Sequence, residues 1–424
     1  MGAAFNVIPC CVTESETQDA EMEVLDLDEG VEQHTPVLSR DTLCWRRNET
    51  EERSAHACKD SDSWVGFHNV DTNLNRLVSQ ADGDCPLSNK SKTGELYDCI
   101  DIYKQPAFDH PLLKNHTLQL KPSSLPNGFK LTKPKPATFY GFNDTCPSGT
   151  ILIERSQKPD NFHARSIDDR TSQGHYYAIF ETTGSGPFYG AHARMGTYRL
   201  PNLLPNQVSS STIYLYGGVN GPDNELNVME AGWHVAPFTY NDNIPRFFIY
   251  WTSDGYENTG CVNLLCPGFV RISSGNGPGT PIVQFSTYNG EEKFMDVLIA
   301  KDPSTSNWWV WSEGVSIGYF PKELFPKMDG RIETVQMGGH VFSSASDPSP
   351  PMGSGHPSQE GRNKAAYFVQ VQLVDSTNSL YNLVPESIEF RTDIPDYYDI
   401  GDYHNTNTNE GYAFAYGGVG GFKK

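Results

Sequence analysis

From His175 onward the chain is a series of short apolar runs divided by Gly, Pro, Asn and Asp. YYAIFET, GTYRL, TIYLYGGV, WHVAPFTY, RFFIYWT, GFVRI, PIVQFSTY, FMDVLIA, WWVWSE, VSIGYF, HVFSS, AAYFVQVQLV and SIEFRT each have the length of a strand, and no helical period runs through them. Runs of this size with turn residues between them predict an all-β antiparallel sandwich. The end, NTNTNEGYAFAYGGVGGFKK, adds one more strand. Within MEAGWHV the period of two puts Glu230, Gly232 and His234 on one face and Ala231, Trp233 and Val235 on the other.

Upstream the pattern is thinner. Residues 1–90 are polar, poor in aromatics and without sustained periodicity, which predicts a disordered or poorly specified segment. Pattern begins near Glu95, in LYDCIDIYKQPAFDHPLLKNHTLQLKPSSLP, where Cys99, Ile100, Ile102 and Tyr103 suit a strand ahead of an extended, Pro-punctuated stretch. Ile151 and Ile153 alternate with polar residues as in a half-buried strand. This gives a small, mainly-β unit over 91–160. A polar, Pro-containing hinge at 157–169 (QKPDNFHARSIDD) follows, and the sandwich occupies 168–424.

Composition narrows the partners. The 424 residues carry a formal charge of −20 and a pI near 4.9, which argues against nucleic acid or an anionic membrane. Part of the excess sits in Glu14–Glu32, a run of carboxylates without Lys or Arg that reads as a solvated tail. No apolar stretch reaches the roughly 18–20 residues of a membrane span. The nine cysteines (Cys10, Cys11, Cys44, Cys58, Cys85, Cys99, Cys146, Cys261 and Cys266) lack zinc-site spacing. Cys99 and Cys146 are the natural pair for a disulfide closing the 91–160 unit. Cys261 and Cys266 either close a rigid loop or stay as free buried thiols. Sequons at Asn48, Asn89, Asn115 and Asn143 fit a secretory route, whereas MGAAFNVIPCC has no signal-peptide pattern and Asn6 stands where a myristoylation signal wants Ser or Thr.

Known catalytic motifs are few. His175, His192, His234, His340 and His356 show no HExxH or facial-triad spacing, so neither a metal nor another cofactor is expected. No GxSxG elbow or papain-like Cys motif occurs, and the Gly pairs at 217–218, 338–339 and 417–418 lack the setting of a phosphate loop. Asp254-Gly255 is a turn signal before it is an acid. The aromatic run FFIYWTSDGY serves equally as core or as a groove that stacks on proline. Glu230 stands out as a lone carboxylate in an apolar setting; it is an exposed rim acid or a catalytic one, according to what faces it.

EAGWHVAP…YWTSDGYENTGCVNLLCPGFV, NWWVW…IGYFPKELF, MGGHV and MGSGH, in that order, resemble the neprosin family of glutamic peptidases. YDCIDIYKQPAFDHPLLKNHTLQLKPSS with CPSGT resembles the activation-peptide domain ahead of it. The resemblance implies a secreted zymogen and an antiparallel β-sandwich with a cleft across one sheet. It also implies a proregion that inhibits in cis and cleavage of peptide or protein substrates at proline. Two facing glutamates do the work there. One activates water; the other polarises the carbonyl and protonates the leaving amine. Carried over, the first is Glu230, and Trp233, His234, Tyr250, Trp251 and Tyr319 are the expected substrate groove.

The second glutamate is missing. The family's WGGEV is MGGHV here, so His340 holds its position. An imidazole cannot share a proton as a carboxyl pair does, and as a cation it would lower the pKa of Glu230. Among neighbours, Glu333 has the wrong parity. Gln336 has the right parity but sits about 13 Å along the strand from His340, and the direction of Glu313 is open. Tyr397 also replaces a family Cys, and the C-terminal Cys is absent. Two functions follow: a glutamic prolyl endopeptidase centred on Glu230, or an inactive neprosin-type module that binds Pro-rich peptides or cell-wall polymers.

Overall fold

The computed structural model describes residues 43–47, 53–57, 87–90, 96–130, 140, 146–154, 174–184, 186–402 and 411–421. The expected disorder across 1–90 falls almost wholly outside these, as do the hinge at 157–169 and the sequons at Asn48 and Asn143. By internal contacts the chain divides into Met1–Ser88 and Asn89–Lys424. In the first unit β1 (Leu43–Arg47) pairs antiparallel with β2 (Arg53–Ala57), Leu43 opposite Ala57. A three-stranded sheet runs β3 (Leu87–Lys90), β4 (Leu96–Asp101), β5 (Thr150–Glu154). The Cys99–Cys146 disulfide, with sulfurs 2.05 Å apart, and Tyr97 and Leu152 give it a small core.

Most of the rest of the second unit is a sandwich of two antiparallel sheets. Sheet one is built from β6 (His175–Thr182), β8 (Val208–Gly217), β9 (Asn227–Val235), β10 (Arg246–Thr252), β11 (Cys261–Val262), β16 (Thr334–Phe342) and β19 (Ile388–Thr392). Its order is β11-β10-β9-β8-β16-β6-β19. Sheet two is built from β7 (Gly190–Gly196), β12 (Val270–Arg271), β13 (Phe294–Lys301), β14 (Trp308–Ser312), β15 (Val315–Phe320), β17 (Ala366–Val374), β18 (Leu380–Asn382), β20 (Asp399–Asp402) and β21 (Phe414–Gly417). Its order is β12-β15-β14-β13-β7-β17-β21-β20, with β18 paired to β17.

Alternation decides what faces the interior. Met229, Ala231, Trp233 and Val235 of β9 meet Met295, Val297 and Ile299 of β13 and Trp308 and Val310 of β14 in one core cluster. Each such side chain contributes about 1.5–3 kcal/mol by leaving water. The opposite parity of both sheets faces outward, and that parity carries the polar chemistry.

Two expected strands are not strands. GTYRL begins with the last residue of β7 and then leaves the sheet, and PIVQFSTY makes only an isolated bridge, Pro281 to Arg246. In their place stands β7, GAHARMG, whose small Ala191 and Ala193 point inward at zero exposure. Its alternation is regular, but its apolar residues are too small to mark it as a run.

Ile102 and Tyr103, expected in a strand with Cys99 and Ile100, lie beyond the end of β4. Short 3-10 turns at Ile102–Lys104, Pro106–Asp109 and Pro111–Leu113 carry the chain onto the outer face of sheet two, and it continues across that face to Lys130. There Gln105 imitates a strand partner: its Oε1 accepts from the amide of Arg271 (2.8 Å) and its Nε2 donates to the Arg271 carbonyl (3.1 Å). Residues 102–130 thus form a strap over Val270, Leu298, Ala300, Trp309, Trp311, Tyr319 and Val374.

Candidate functional site

The register of sheet one fixes which residues share its outer face. Tyr250 of β10 stands opposite Glu230 of β9, which stands opposite Tyr214 of β8, which stands opposite Gln336 of β16, then Glu181 of β6 and Glu389 of β19. Two residues further along, the row reads Phe248, Gly232, Thr212, Gly338, Ile179. After two more it reads Arg246, His234, Ser210, His340, Tyr177. Glu230 and His340 therefore leave the same face of the same sheet, on a diagonal rather than opposed. In a flat sheet their Cα atoms lie about 13 Å apart along the strand and about 10 Å across it, or about 16 Å in all.

Glu230 is fully buried. Its flanking tyrosines, Tyr250 and Tyr214, are buried too, and a third, Tyr256, donates its hydroxyl to Oε1 at 3.3 Å. Burial works against the charged form of a carboxylate and donated hydrogen bonds work for it, and both act on Glu230. Tyr256 rides on the turn after β10 with φ of +69°, a left-handed conformation that costs a bulky residue about 1 kcal/mol or more. Asp254 holds that turn. Its carboxylate accepts from the amides of Asn258 and Thr259 and from the hydroxyls of Thr252 and Thr259. Burial alone would raise its pKa, but these donors, the Thr259 hydroxyl and amide foremost, bring it below the usual value. The Cys261–Cys266 disulfide closes the loop that follows.

His340 is 2% exposed and engaged at both ring nitrogens. Nε2 lies 2.8 Å from Nδ1 of His175, and Nδ1 lies 3.4 Å from the Ser210 hydroxyl. Its ring stacks on Tyr177 and on His175, with centroids at 4.7 and 5.1 Å. A bond between two imidazole nitrogens needs one N–H and one bare lone pair, so the couple takes at most one extra proton without breaking. Tyr177 also meets Tyr214 edge-on at 6.4 Å, which gives a continuous aromatic path from the neighbour of Glu230 to His340. His234 stacks on Phe248 at 4.3 Å, with Nε2 2.9 Å from the Tyr240 hydroxyl.

The other candidate acids and amides go elsewhere. Gln336, in register with Glu230 beyond Tyr214, donates to Glu181, which also accepts from Arg391 at 3.1 Å. Its amide is thus turned away from Glu230. Glu333 accepts from the amide of Val219, and Glu313 from the amide of Asp296 on sheet two. Of the five expected groove residues, His234 and Tyr250 share the face of Glu230. Trp233 and Trp251 lie in the core, Trp233 donating to the Gly196 carbonyl at 2.8 Å. Tyr319 stands on the outer face of sheet two, under the strap, where the Gln119 amide and His116 reach its hydroxyl. The separation follows from pleat: Trp233 and Trp251 have the parity that faces inward.

Gly232 does more than leave room beside Glu230: a Cβ there would lie 1.9 Å from the Ser211 carbonyl. Gly338 has φ of +154°, and a Cβ would lie 2.2 Å from the Ala178 carbonyl. Both glycines are demanded by their neighbouring strands. Local sequence did not point to Tyr214, Tyr256, Tyr177 or His175; the parity of TIYLYG and the turn signal TSDGY held the only trace of the first two. Among the described residues no group of three or more His, Cys, Asp or Glu could hold a metal ion, and no helix is long and apolar enough to cross a membrane.

A family model described as Neprosin matches residues 205–419, and one described as Neprosin activation peptide matches residues 88–183. Among solved structures the chain is similar to scytalido-glutamic peptidase crystallised with a transition state analog inhibitor. Identity is 7%, over 57% of this chain and 98% of that one, at a TM-score of 0.31. It is also similar to a beta-porphyranase from the human gut bacterium Bacteroides plebeius, with 7% identity over 40% of this chain and 65% of that one, at a TM-score of 0.20. Neither likeness is close enough to carry an argument.

Proposed function

The chain belongs to the neprosin family and carries that family's activation-peptide segment, and from this premise we propose that it is a secreted, peptidase-like zymogen acting on proline-containing peptides. The observation that supports it most is the placing of Glu230, buried and ringed by Tyr214, Tyr250 and Tyr256 on the face that His340 also occupies. In this reading the Glu230 carboxylate takes a proton from water as the water oxygen attacks the scissile carbonyl. The His340 imidazolium then gives its proton to the departing amine. Its Nδ1, 3.4 Å from the Ser210 hydroxyl, is the atom that turns to substrate, and His175 steadies the other nitrogen. Activity requires Glu230 ionised and the imidazole couple protonated, so the rate falls on both sides of a window between their pKa values. The Cys99–Cys146 disulfide supports an oxidising, extracellular setting.

A second reading, peptide binding without hydrolysis, is favoured by the engagement of both His340 nitrogens and by its diagonal offset from Glu230. Incubation with a proline-containing peptide between pH 3 and 7 separates the two. Under the first, Glu230→Gln abolishes turnover and His340→Gln lowers kcat about 100-fold with KM little changed. If the unaltered protein binds the peptide without cutting it and His340→Glu brings cleavage, the second reading holds. No binding and no cleavage by either form would sink both.

A further inference from the structure

The strap makes one contact more selective than its neighbours. The Gln119 side chain enters a polar pocket on sheet two. Its Oε1 accepts from the Thr305 hydroxyl (2.8 Å), the Asn307 amide (2.9 Å) and the Trp309 indole (3.2 Å), and its Nε2 donates to Asp302 Oδ2 (3.1 Å). Asp302, Asn307 and Trp309 are 2%, 4% and 0% exposed. The pocket's polarity is fixed. Asn307 Oδ1 accepts from the Lys322 amide, so its NH2 end faces Gln119. Asp302 is kept ionised by donors: burial would raise its pKa, but the amides and hydroxyls of Ser123 and Thr305 bring it below the usual value. Three donors and one carboxylate match a carboxamide and oppose a carboxylate, which would place two negative charges together.

The rest of the strap extends the same reading. Four residues on, Ser123 donates its amide and hydroxyl to Asp302. Asn127 makes a parallel bridge at Ser379, its amide donating to the Asn378 carbonyl (2.7 Å) and its carbonyl accepting from the Leu380 amide (2.9 Å). Phe129 then meets the edges of His192 and Trp311 at 5.4 and 6.4 Å. Main-chain pairing with side-chain pockets is how sheets take up extended peptides. The strap lies within the activation-peptide match; once it lifts, the buried Asp302 and the Trp309 indole lose partners, which costs free energy until equivalent groups return.

We propose that the outer face of sheet two is a peptide-binding site in its own right, selective for an extended segment of a partner protein that presents glutamine, a serine four residues on and an aromatic ring six further. Residues 116–130 are its tethered ligand. The site is independent of Glu230 and of any hydrolysis.

The experiment uses the full chain carrying Gln119→Glu, with a labelled synthetic peptide of residues 116–130 at neutral pH. Hydrogen exchange should show the strap amides released. By fluorescence anisotropy the peptide should bind this variant about tenfold or more tightly than the same peptide with glutamate at position 119. Asp302→Ala should abolish the preference, and the unaltered chain, with its seat filled, should bind neither peptide. Equal affinity for the two peptides, or undiminished strap protection in Gln119→Glu, would overturn the proposal. So would self-association of that variant through its own strap, because that strap carries the glutamate.

Discussion

Two carboxylates on opposite outer faces of this sandwich are equally hidden, and by different means. Asp302 on sheet two lies beneath a segment of its own chain that meets it atom for atom, through Gln119 and Ser123. Glu230 on sheet one lies among tyrosines of its own and adjoining strands and a turn, with Tyr256 as donor. The first arrangement can be undone by lifting one peptide. The second can open only at the turn that carries Tyr256, because Tyr214 and Tyr250 belong to the flanking strands β8 and β10. A removable cover thus lies over the face without the proposed chemistry, and the proposed chemistry sits in a face walled by its own strands and one turn.

Breaking the walled side should cost most. Gly232→Ala puts a methyl 1.9 Å from the Ser211 carbonyl and should force β8 and β9 apart. We expect a loss of about 3 kcal/mol in thermal or denaturant unfolding; a neutral outcome would mean the strands are looser than described. Breaking the removable side should cost less and stay local. Asp302→Ala strands the donors of Ser123, Thr305 and Gln119, at about 2 kcal/mol. Proteases should then cut the strap while the sandwich stays folded.

Acid sharpens the contrast without mutation. His116 on the strap touches Tyr319 and Glu323. Its pKa is lowered, by burial first and by Lys322 in part, against the raising effect of Glu323. A docked histidine that resists its proton makes docking strongest above about pH 6.5 and weaker as pH falls from there. Asp302, also shifted down, is ionised when docked, so its share is present above about pH 3.9 and lost as pH falls through its own lower pKa. Strap amides, corrected for the intrinsic slowing of exchange in acid, should lose protection in two steps on acidification, ahead of sheet one; a single step shared with the whole sandwich would contradict this. The smallest effect belongs to Tyr256→Phe, which removes one hydroxyl from Glu230 and should cost about 1 kcal/mol in stability while shifting how Glu230 titrates, read by carboxyl resonance or pH profile.

Much of this was legible in the residues. The period of two in MEAGWHV placed Glu230 and His234 on one face and Trp233 on the other, and the sheets are antiparallel as the short runs implied. Cys99 and Cys146 are joined. What local pattern could not reach is pairing between distant segments. Gln336 and Glu230 share a row only because β8 lies between their strands, and the link from Tyr177 to Tyr214 depends on β6 joining β16. Of the five expected groove residues, parity turns Trp233 and Trp251 into the core, and Tyr319 belongs to the other sheet. β7 escaped because alanine and glycine make a strand without a hydrophobic run.

The strand order of sheet one also limits how the chain can be trimmed. The activation-peptide match continues to residue 183, yet β6, inside it, holds seven register pairs with β16 and five with β19. Cutting it away would detach β19 from the sheet and remove His175 and Tyr177 from beside His340. On the zymogen reading, a maturing protease that leaves a sound product must therefore sever the backbone before His175, and the released fragment would end short of residue 183, where the family match ends.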